Sequence, residues 1–187
     1  MRYHREPATV LLSGGVDSAA CAHFLKQNEH DVGCVFIAYG QSAVRQEQLA
    51  AKRIAKHFRM PLHIRKFGSK TRFSKGEILG RNAFLITSAM LMTPVHSGLL
   101  GIGIHSGTRY FDCGSRFFDL MARLIEEETD GRVALIAPFL DWRKSDIVEY
   151  ARASAIPLDL TYSCELGTNP VCGKCASCLD RRMLGVG

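Results

Sequence analysis

The chain has 187 residues, 47% of them hydrophobic and 22% charged, a size and balance that suit one globular domain with a buried core and exclude a disordered chain. Its longest apolar stretches, such as residues 83–92, fall short of the ~20 residues that a membrane span needs, and residues 1–12 lack a secretory-signal pattern, so the expected location is the cytoplasm. The formal charge of +6 fits an anionic ligand, a nucleic-acid surface or a merely solubilising exterior, and does not choose among them.

Strand and helix signals alternate along the chain. Residues 8–13 form a short apolar run that stops at Gly14-Gly15, the pattern of a buried strand ending in a tight turn. Asp17 and Ser18 open a helical stretch, residues 31–40 read as a second buried strand, and residues 42–58 as an amphipathic helix with Val44, Leu49, Ile54 and Phe58 on its apolar side. A third strand is expected over 61–67, a glycine- and lysine-containing loop over 68–80, and a long apolar helix from Asn82 to His96. A fourth strand over 98–104, a helix over 116–129, a fifth strand over 132–140 and a helix over 144–153 complete the pattern. Such alternation predicts an α/β fold with a doubly wound, mainly parallel sheet. Ligands then belong beyond the C-terminal strand ends, at residues 13–18, 39–41, 105–113 and 138–144. From about Pro157 the pattern gives way to a cysteine-rich tail, so the expected division is a main domain over 1–159 and a small lobe over 160–187 packed on it.

The segment Leu12-Ser13-Gly14-Gly15-Val16-Asp17-Ser18 lies between a strand and a helix. Backbone N–H groups at the glycine turn can form an anion-binding nest, and the helix N-terminus adds positive potential. Ser13 and Ser18 can donate to phosphate oxygens and Asp17 can hold Mg²⁺ against them. A Walker loop would carry a lysine here; this loop has none, so the cation must come from elsewhere. The full pattern resembles the pyrophosphate (PP) loop of the N-type ATP pyrophosphatases, which cleave ATP between its α and β phosphates and activate a carbonyl or carboxylate oxygen as an adenylate.

Cys164, Cys172, Cys175 and Cys178 have the spacing Cys-x7-Cys-x2-Cys-x2-Cys. In a cytosolic chain this spacing points to metal or redox chemistry before disulfides. Four thiolates suit tetrahedral Zn²⁺; a [4Fe–4S] cluster and a redox pair are the competing readings. Cys21 and Cys34 read as small buried hydrophobes.

Together, loop and cluster resemble the 7-cyano-7-deazaguanine synthases. Residues 12–21, Tyr39-Gly40-Gln41 followed by a helix carrying Glu47, Gly80-Arg81-Asn82, Asp112-Cys113, Pro138-Phe139 then Lys144, the cysteine segment 163–178 and Arg181 follow in that family's order. The resemblance implies ATP-dependent adenylation of the carboxylate of a 7-carboxy-7-deazaguanine, capture by ammonia as an amide, and dehydration to a nitrile with a second ATP. It places Leu12 to Ser18 with Arg81 and Asn82 at ATP, assigns Asp17, Lys144 and Asp112 to catalysis, and sets Tyr39, Gln41, Glu47, Asp112 and Arg181 against the substrate. It further implies Zn²⁺ on the four cysteines and a homodimer. Set against these roles, Glu47 reads by pattern as a solvated helix position, Lys144 as a surface lysine, and His105 as a structural loop histidine before a ligand or base.

The chain departs from the family where the acceptor of the activated group should bind. The loop 105–115 is shorter, Phe111 and Gly114 replace a proline and an arginine, Ile78-Leu79 replaces a Val-Pro, and residues 68–75 are compact. A reshaped acceptor side suits transfer to an amine of a partner protein, as in defence-associated branches resembling this family. A nucleotide- or RNA-binding zinc protein without catalysis is the alternative of another class; the cluster's lack of interleaved aromatics and dense basic residues speaks against nucleic acid.

Overall fold

The structure is a computed structural model describing residues 5–68, 73, 76–92 and 97–186. Five strands, β1 (Pro7–Leu11), β2 (Asp31–Ala38), β3 (Leu62–Lys66), β4 (Gly98–Ile102) and β5 (Val133–Ile136), make one sheet in the order β3-β2-β1-β4-β5. Every pairing is parallel, with Val10 opposite Cys34 on one side and Gly101 on the other. The helices α1 (Val16–Gln27), α2 (Val44–Phe58), α3 (Arg81–Met92), α4 (Ser115–Glu128), α5 (Lys144–Ala153) and α6 (Ala176–Met183) surround it. The expected reach of α3 to His96, and much of the 68–80 loop, lie outside the described residues.

Central strands of a parallel sheet are covered on both faces, so their side chains are apolar without alternation. Val10, Cys34 and Phe36 face one core with Ala19, Ala51, Ile54 and Ile147 from α1, α2 and α5. Leu11, Val35, Ile37 and Leu100 face the other with Ile86, Phe117, Met121 and Ile125 from α3 and α4. The doubly wound expectation is met, and strand order reverses between β1 and β4, the switch point at which such sheets open a crevice.

Two helices depart from the sequence reading. On α2 the buried face is Ala50, Ala51, Ile54 and Ala55, while Leu49 is 39% exposed. Small side chains there let the glycine loop approach closely: a Cβ on Gly14 would stand 2.9 Å from the Ala50 Cβ and 2.6 Å from the Glu47 carbonyl oxygen. Helix α6 was not anticipated. Its eight residues carry few apolar side chains, and its start is held from outside, where Glu165 accepts from the backbone N–H and hydroxyl of Ser177.

The C-terminal segment packs on the sheet domain at several points. The Tyr162 N–H donates to the Gly14 carbonyl at 2.9 Å. Gly167, at φ +69°, fits where a Cβ would come 2.5 Å from the Ser42 carbonyl oxygen. Arg152 of α5 donates to the Leu184 and Gly185 carbonyls, and Val186 is buried in the first core.

The basic charge is localised. Residues 43–68 hold seven Lys and Arg against one acid, which accounts for the whole formal charge of +6. Lys52, Arg53, Lys56 and Arg59 stand exposed on α2 and its end. No helix among the described residues is long and apolar enough to cross a membrane.

Candidate functional site

The Gly14-Gly15 loop leaves β1 and turns into α1 with Gly14 at φ +89°, a backbone region open to glycine. The Ser13 hydroxyl donates to Ser18 Oγ at 3.1 Å and the Ser18 hydroxyl to the Gly15 carbonyl at 3.0 Å. Both hydroxyls therefore sit at the N-terminus of α1, whose free N–H groups and dipole favour an anion.

A cation beside this loop comes from α5. Lys144 is its first residue, an unfavourable place for a positive charge because the helix dipole is positive there. Asp146 fixes that start by accepting from the Arg143 N–H at 3.1 Å. Lys144 Nζ then donates to both carboxylate oxygens of Asp17 at 2.5 Å. Gly103, just past β4, permits this arrangement, since a Cβ there would come 2.6 Å from the Asp17 carbonyl oxygen.

A cavity of about 780 Å³ opens at the switch point and runs from this loop to the ends of β2 and β4. Ser13, Asp17, Tyr39, Gln41, Glu47, Arg81, Asn82, Lys144 and Arg181 all line it. Four carboxylates and four Lys or Arg side chains face it among the described residues, so its charge is balanced and the basic excess lies elsewhere.

At the β2 end Gln41 is buried and spans three partners. Its Oε1 accepts from the Tyr39 N–H at 2.9 Å, and its Nε2 donates to the Ile37 carbonyl and to Glu47 Oε2, each at 3.1 Å. Glu47 is thus no solvated helix position: burial pushes its carboxyl above the usual range, against the pull of the Gln41 hydrogen bond. Burial likewise pushes the Tyr39 phenol up to about 12. Desolvated polar groups converging on a cleft mark a functional site more often than a surface.

Asp112 does something other than face the cavity. Its carboxylate accepts from the Asn82 N–H at 3.2 Å and its carbonyl from the Asn82 side chain at 2.8 Å, which fixes the start of α3. Arg81, the first residue of α3, is presented to the cavity as a result, with its Nε donating to Asn82 Oδ1 at 3.3 Å. Arg181 is held by the Thr161 hydroxyl at 2.7 Å and the Leu158 carbonyl at 3.4 Å.

The four cysteine sulfurs lie within 4.8 Å of one another, and Cys172 and Cys178 are 3.9 Å apart. A Zn–S bond of about 2.3 Å sets a tetrahedral edge near 3.8 Å, so the donor set fits that ion. The Cys175 N–H donates to Cys172 Sγ at 3.3 Å and the Cys172 N–H to Cys164 Sγ at 3.5 Å, which favours thiolate. Burial opposes ionisation of Cys164, but the hydrogen bonds from the Cys172 N–H and the Thr168 hydroxyl prevail and bring it down to about 5.

Two further residues line the cavity: His105, which pattern reading took first as a structural loop histidine, and Tyr162, which it did not single out. His105 is buried at the cavity wall beyond β4, and Tyr162 joins the cysteine lobe to the glycine loop. The signal for His105 lay in its position just past an apolar strand that ends beside the glycine loop.

A family model described as "Queuosine biosynthesis protein QueC" matches residues 7–76 and 69–184. The chain is 30% identical over 204 residues to the 7-cyano-7-deazaguanine synthase of Haloarcula marismortui, covering 93% of this chain and 88% of that protein. It is 30% identical over 203 residues to the synthase of the same name from Methanoculleus marisnigri, covering 94% and 91%. Both alignments exceed the chain's 187 residues, so these relatives carry insertions that it lacks. Among solved structures, the predicted subunit of a tRNA methyltransferase from Methanocaldococcus jannaschii superposes with a TM-score of 0.54 at 17% identity, over 79% of this chain and 74% of that one, a likeness of fold alone. The matched ranges take in both the glycine loop and the cysteine cluster, and the chain belongs to the QueC family of queuosine biosynthesis proteins.

Proposed function

We propose that the protein uses ATP to activate the carboxylate of 7-carboxy-7-deazaguanine as an adenylate, which ammonia captures as an amide before a second ATP drives dehydration to 7-cyano-7-deazaguanine. A carboxylate oxygen is a poor leaving group until it is converted to a mixed anhydride with AMP. The observation that carries this reading is the Asp17–Lys144 pair at the mouth of the glycine loop, inside a cavity of about 780 Å³, within the usual range for sites that enclose small molecules.

Residues 12–18 take the phosphates: the hydroxyls of Ser13 and Ser18 and the N-terminal amides of α1 are the donors, and Lys144 and Arg81 offset charge as it develops on the phosphoryl oxygens. Asp17 offers the hard oxygen that Mg²⁺ takes; both its oxygens accept from Lys144, so the ion would share the carboxylate with that ammonium. Tyr39, Gln41 and Glu47 form the wall at which a purine-like base finds a ring face, an amide and a carboxylate. Zn²⁺ on Cys164, Cys172, Cys175 and Cys178 holds the lobe and, through Tyr162, the back of the glycine loop, with Gly167 seated against Ser42. In this reading the enzyme works in the cytoplasm as a homodimer.

A second reading is transfer of the activated acyl group to an amine of a partner protein. The shorter acceptor loop and the 58% exposure of Phe111 favour it, since both leave the acceptor side less enclosed. Purified protein with ATP, Mg²⁺ and 7-carboxy-7-deazaguanine, with and without ammonium, tests both by mass spectrometry. Nitrile formed with ammonium supports the synthase. Amide or adenylate alone, with an adduct on an added protein, supports conjugation. No AMP release under either condition overturns both.

A further inference from the structure

His105 stands two residues beyond Gly103 at the end of β4, across the switch point from Ser13–Ser18, and is only 7% exposed. Its Nδ1 is buried and has no hydrogen-bond partner among the described residues. Gly107 closes over that atom: a Cβ there would stand 3.0 Å from Nδ1 and 3.4 Å from Cε1. His105 nevertheless lines the cavity, and with Nδ1 enclosed Nε2 is the ring nitrogen left for a ligand.

The sealed Nδ1 decides the ring's chemistry. A proton on Nδ1 would bury an unpaired N–H, a rarer occurrence in folded proteins than an unpaired acceptor. An imidazolium would bury the same unpaired donor together with a charge. A proton on Nε2 leaves only an acceptor unpaired and aims a donor at the cavity. The charged groups whose fields reach the ring are Asp17 on α1, Lys144 on α5 and Asp180 on α6.

We propose that His105 is a neutral hydrogen-bond donor to the reacting nucleotide, its Nε2–H meeting an oxygen of the α-phosphoryl group as the substrate carboxylate displaces pyrophosphate. In that step the carboxylate-oxygen-to-phosphorus bond forms, the bond from the α-phosphorus to the bridging oxygen breaks, and its electron pair leaves with pyrophosphate. His105 gives up no proton; it donates to charge that grows on the phosphoryl oxygens. Lys144 is already shared with Asp17, so a neutral donor supplies polarisation that this carboxylate does not cancel. The proposal rests on ATP-dependent activation as the function.

The test uses three variants. A glutamine amide nitrogen reaches about where Nε2 sits and an asparagine amide about where Nδ1 sits, so His105→Gln keeps the proposed donor while His105→Asn and His105→Ala lose it. Exchange of labelled pyrophosphate into ATP, with 7-carboxy-7-deazaguanine present and thermal unfolding confirming that each variant is folded, should fall about 100-fold in kcat for Ala and Asn, with KM little changed. Gln should stay within about tenfold of wild type, the scale of one weakened hydrogen bond. Rescue by Asn rather than Gln, or wild-type exchange by Ala, overturns the proposal. A second readout is independent of turnover. Nitrogen NMR of histidine-labelled protein, with His105→Gln identifying the resonance among the seven histidines, should show the Nε2–H tautomer and a shift on adding ATP. A proton on Nδ1, or an Nε2–H indifferent to ATP, overturns the proposal. Absent exchange in the wild type would instead overturn the functional reading, and the NMR result would still decide the role of His105.

Discussion

Lys144 Nζ lies 2.5 Å from both carboxylate oxygens of Asp17, joining the first turns of two helices that are 127 residues apart in the chain. Asp17 suits the positive end of α1, whereas Lys144 sits at the same end of α5, where a cation is disfavoured. An arrangement that costs stability at one helix end and places a charge in a cleft points to chemistry. Both side chains are partly exposed, at 32% and 24%, so the pair contributes at most about 1 kcal/mol to stability. Lys144→Met should therefore lower the rate of AMP formation by about 100-fold or more while thermal unfolding moves by only a degree or two. A variant that is markedly less stable but keeps its specific activity while folded would show that the pair is structural.

Asp112 gives a cleaner separation of positioning from chemistry. Its carboxylate accepts from the α3 start, and an asparagine oxygen does that equally well. Asp112→Asn should retain activity within a few-fold, whereas Asp112→Ala should cost about 1 kcal/mol and raise the KM for ATP through a displaced Arg81. Loss of kcat in the Asn variant at unchanged stability, measured by urea unfolding beside the kinetics, would return Asp112 to the catalytic set.

Gly14 carries two constraints at once, a φ of +89° and a 2.6 Å approach to the Glu47 carbonyl. Gly14→Ala meets backbone rather than a flexible side chain and should destabilise the fold by about 2–4 kcal/mol, with loss of ATP binding by calorimetry. An Ala variant with wild-type stability and affinity would rule out the close packing of this loop on α2.

Glu47 makes stability depend on pH. Burial raises its carboxyl above the unfolded value, so its contribution is complete below the ordinary glutamate range, near 4.3, and is lost as pH rises through the raised native value. Glu47→Gln removes this loss and leaves an oxygen for Gln41. Urea unfolding from pH 4 to 7 should show the variant gaining on the wild type as pH rises. Parallel curves for the two proteins would refute the assignment.

The cysteine lobe should unfold the site when its metal is removed. Chelation, or Cys175→Ser, should release about one zinc per chain by metal analysis and lower stability by several kcal/mol. Because Tyr162 donates to Gly14 and Gly167 seats against Ser42, ATP affinity should fall in parallel. Metal loss with intact ATP binding would separate the lobe from the loop, and iron in place of zinc would change the cluster's assignment.

The local sequence located the five strands, five of the helices and the glycine turn, because hydrophobic period and backbone-permissive glycines act over a few residues, although β5 ends at Ile136 and not at residue 140. It also determined the cysteine set, since Cys-x2-Cys-x2-Cys is a short-range spacing that chain geometry can close on one ion. Residues whose setting depends on distant segments were read less well. Glu47 looks solvated on a helical wheel and is desolvated by Gln41 and the loops around it; Leu49 looks buried and is exposed because Ala50 and Ala51 face Gly14 instead. Helix α6 starts where Glu165, twelve residues earlier, caps it. Asp112 fixes α3 from thirty residues away, and Gly107 seals the nitrogen of His105 only because the turn after β4 folds back. Burial, capping and tautomer follow from which atoms meet in space, and those meetings are made by the tertiary fold.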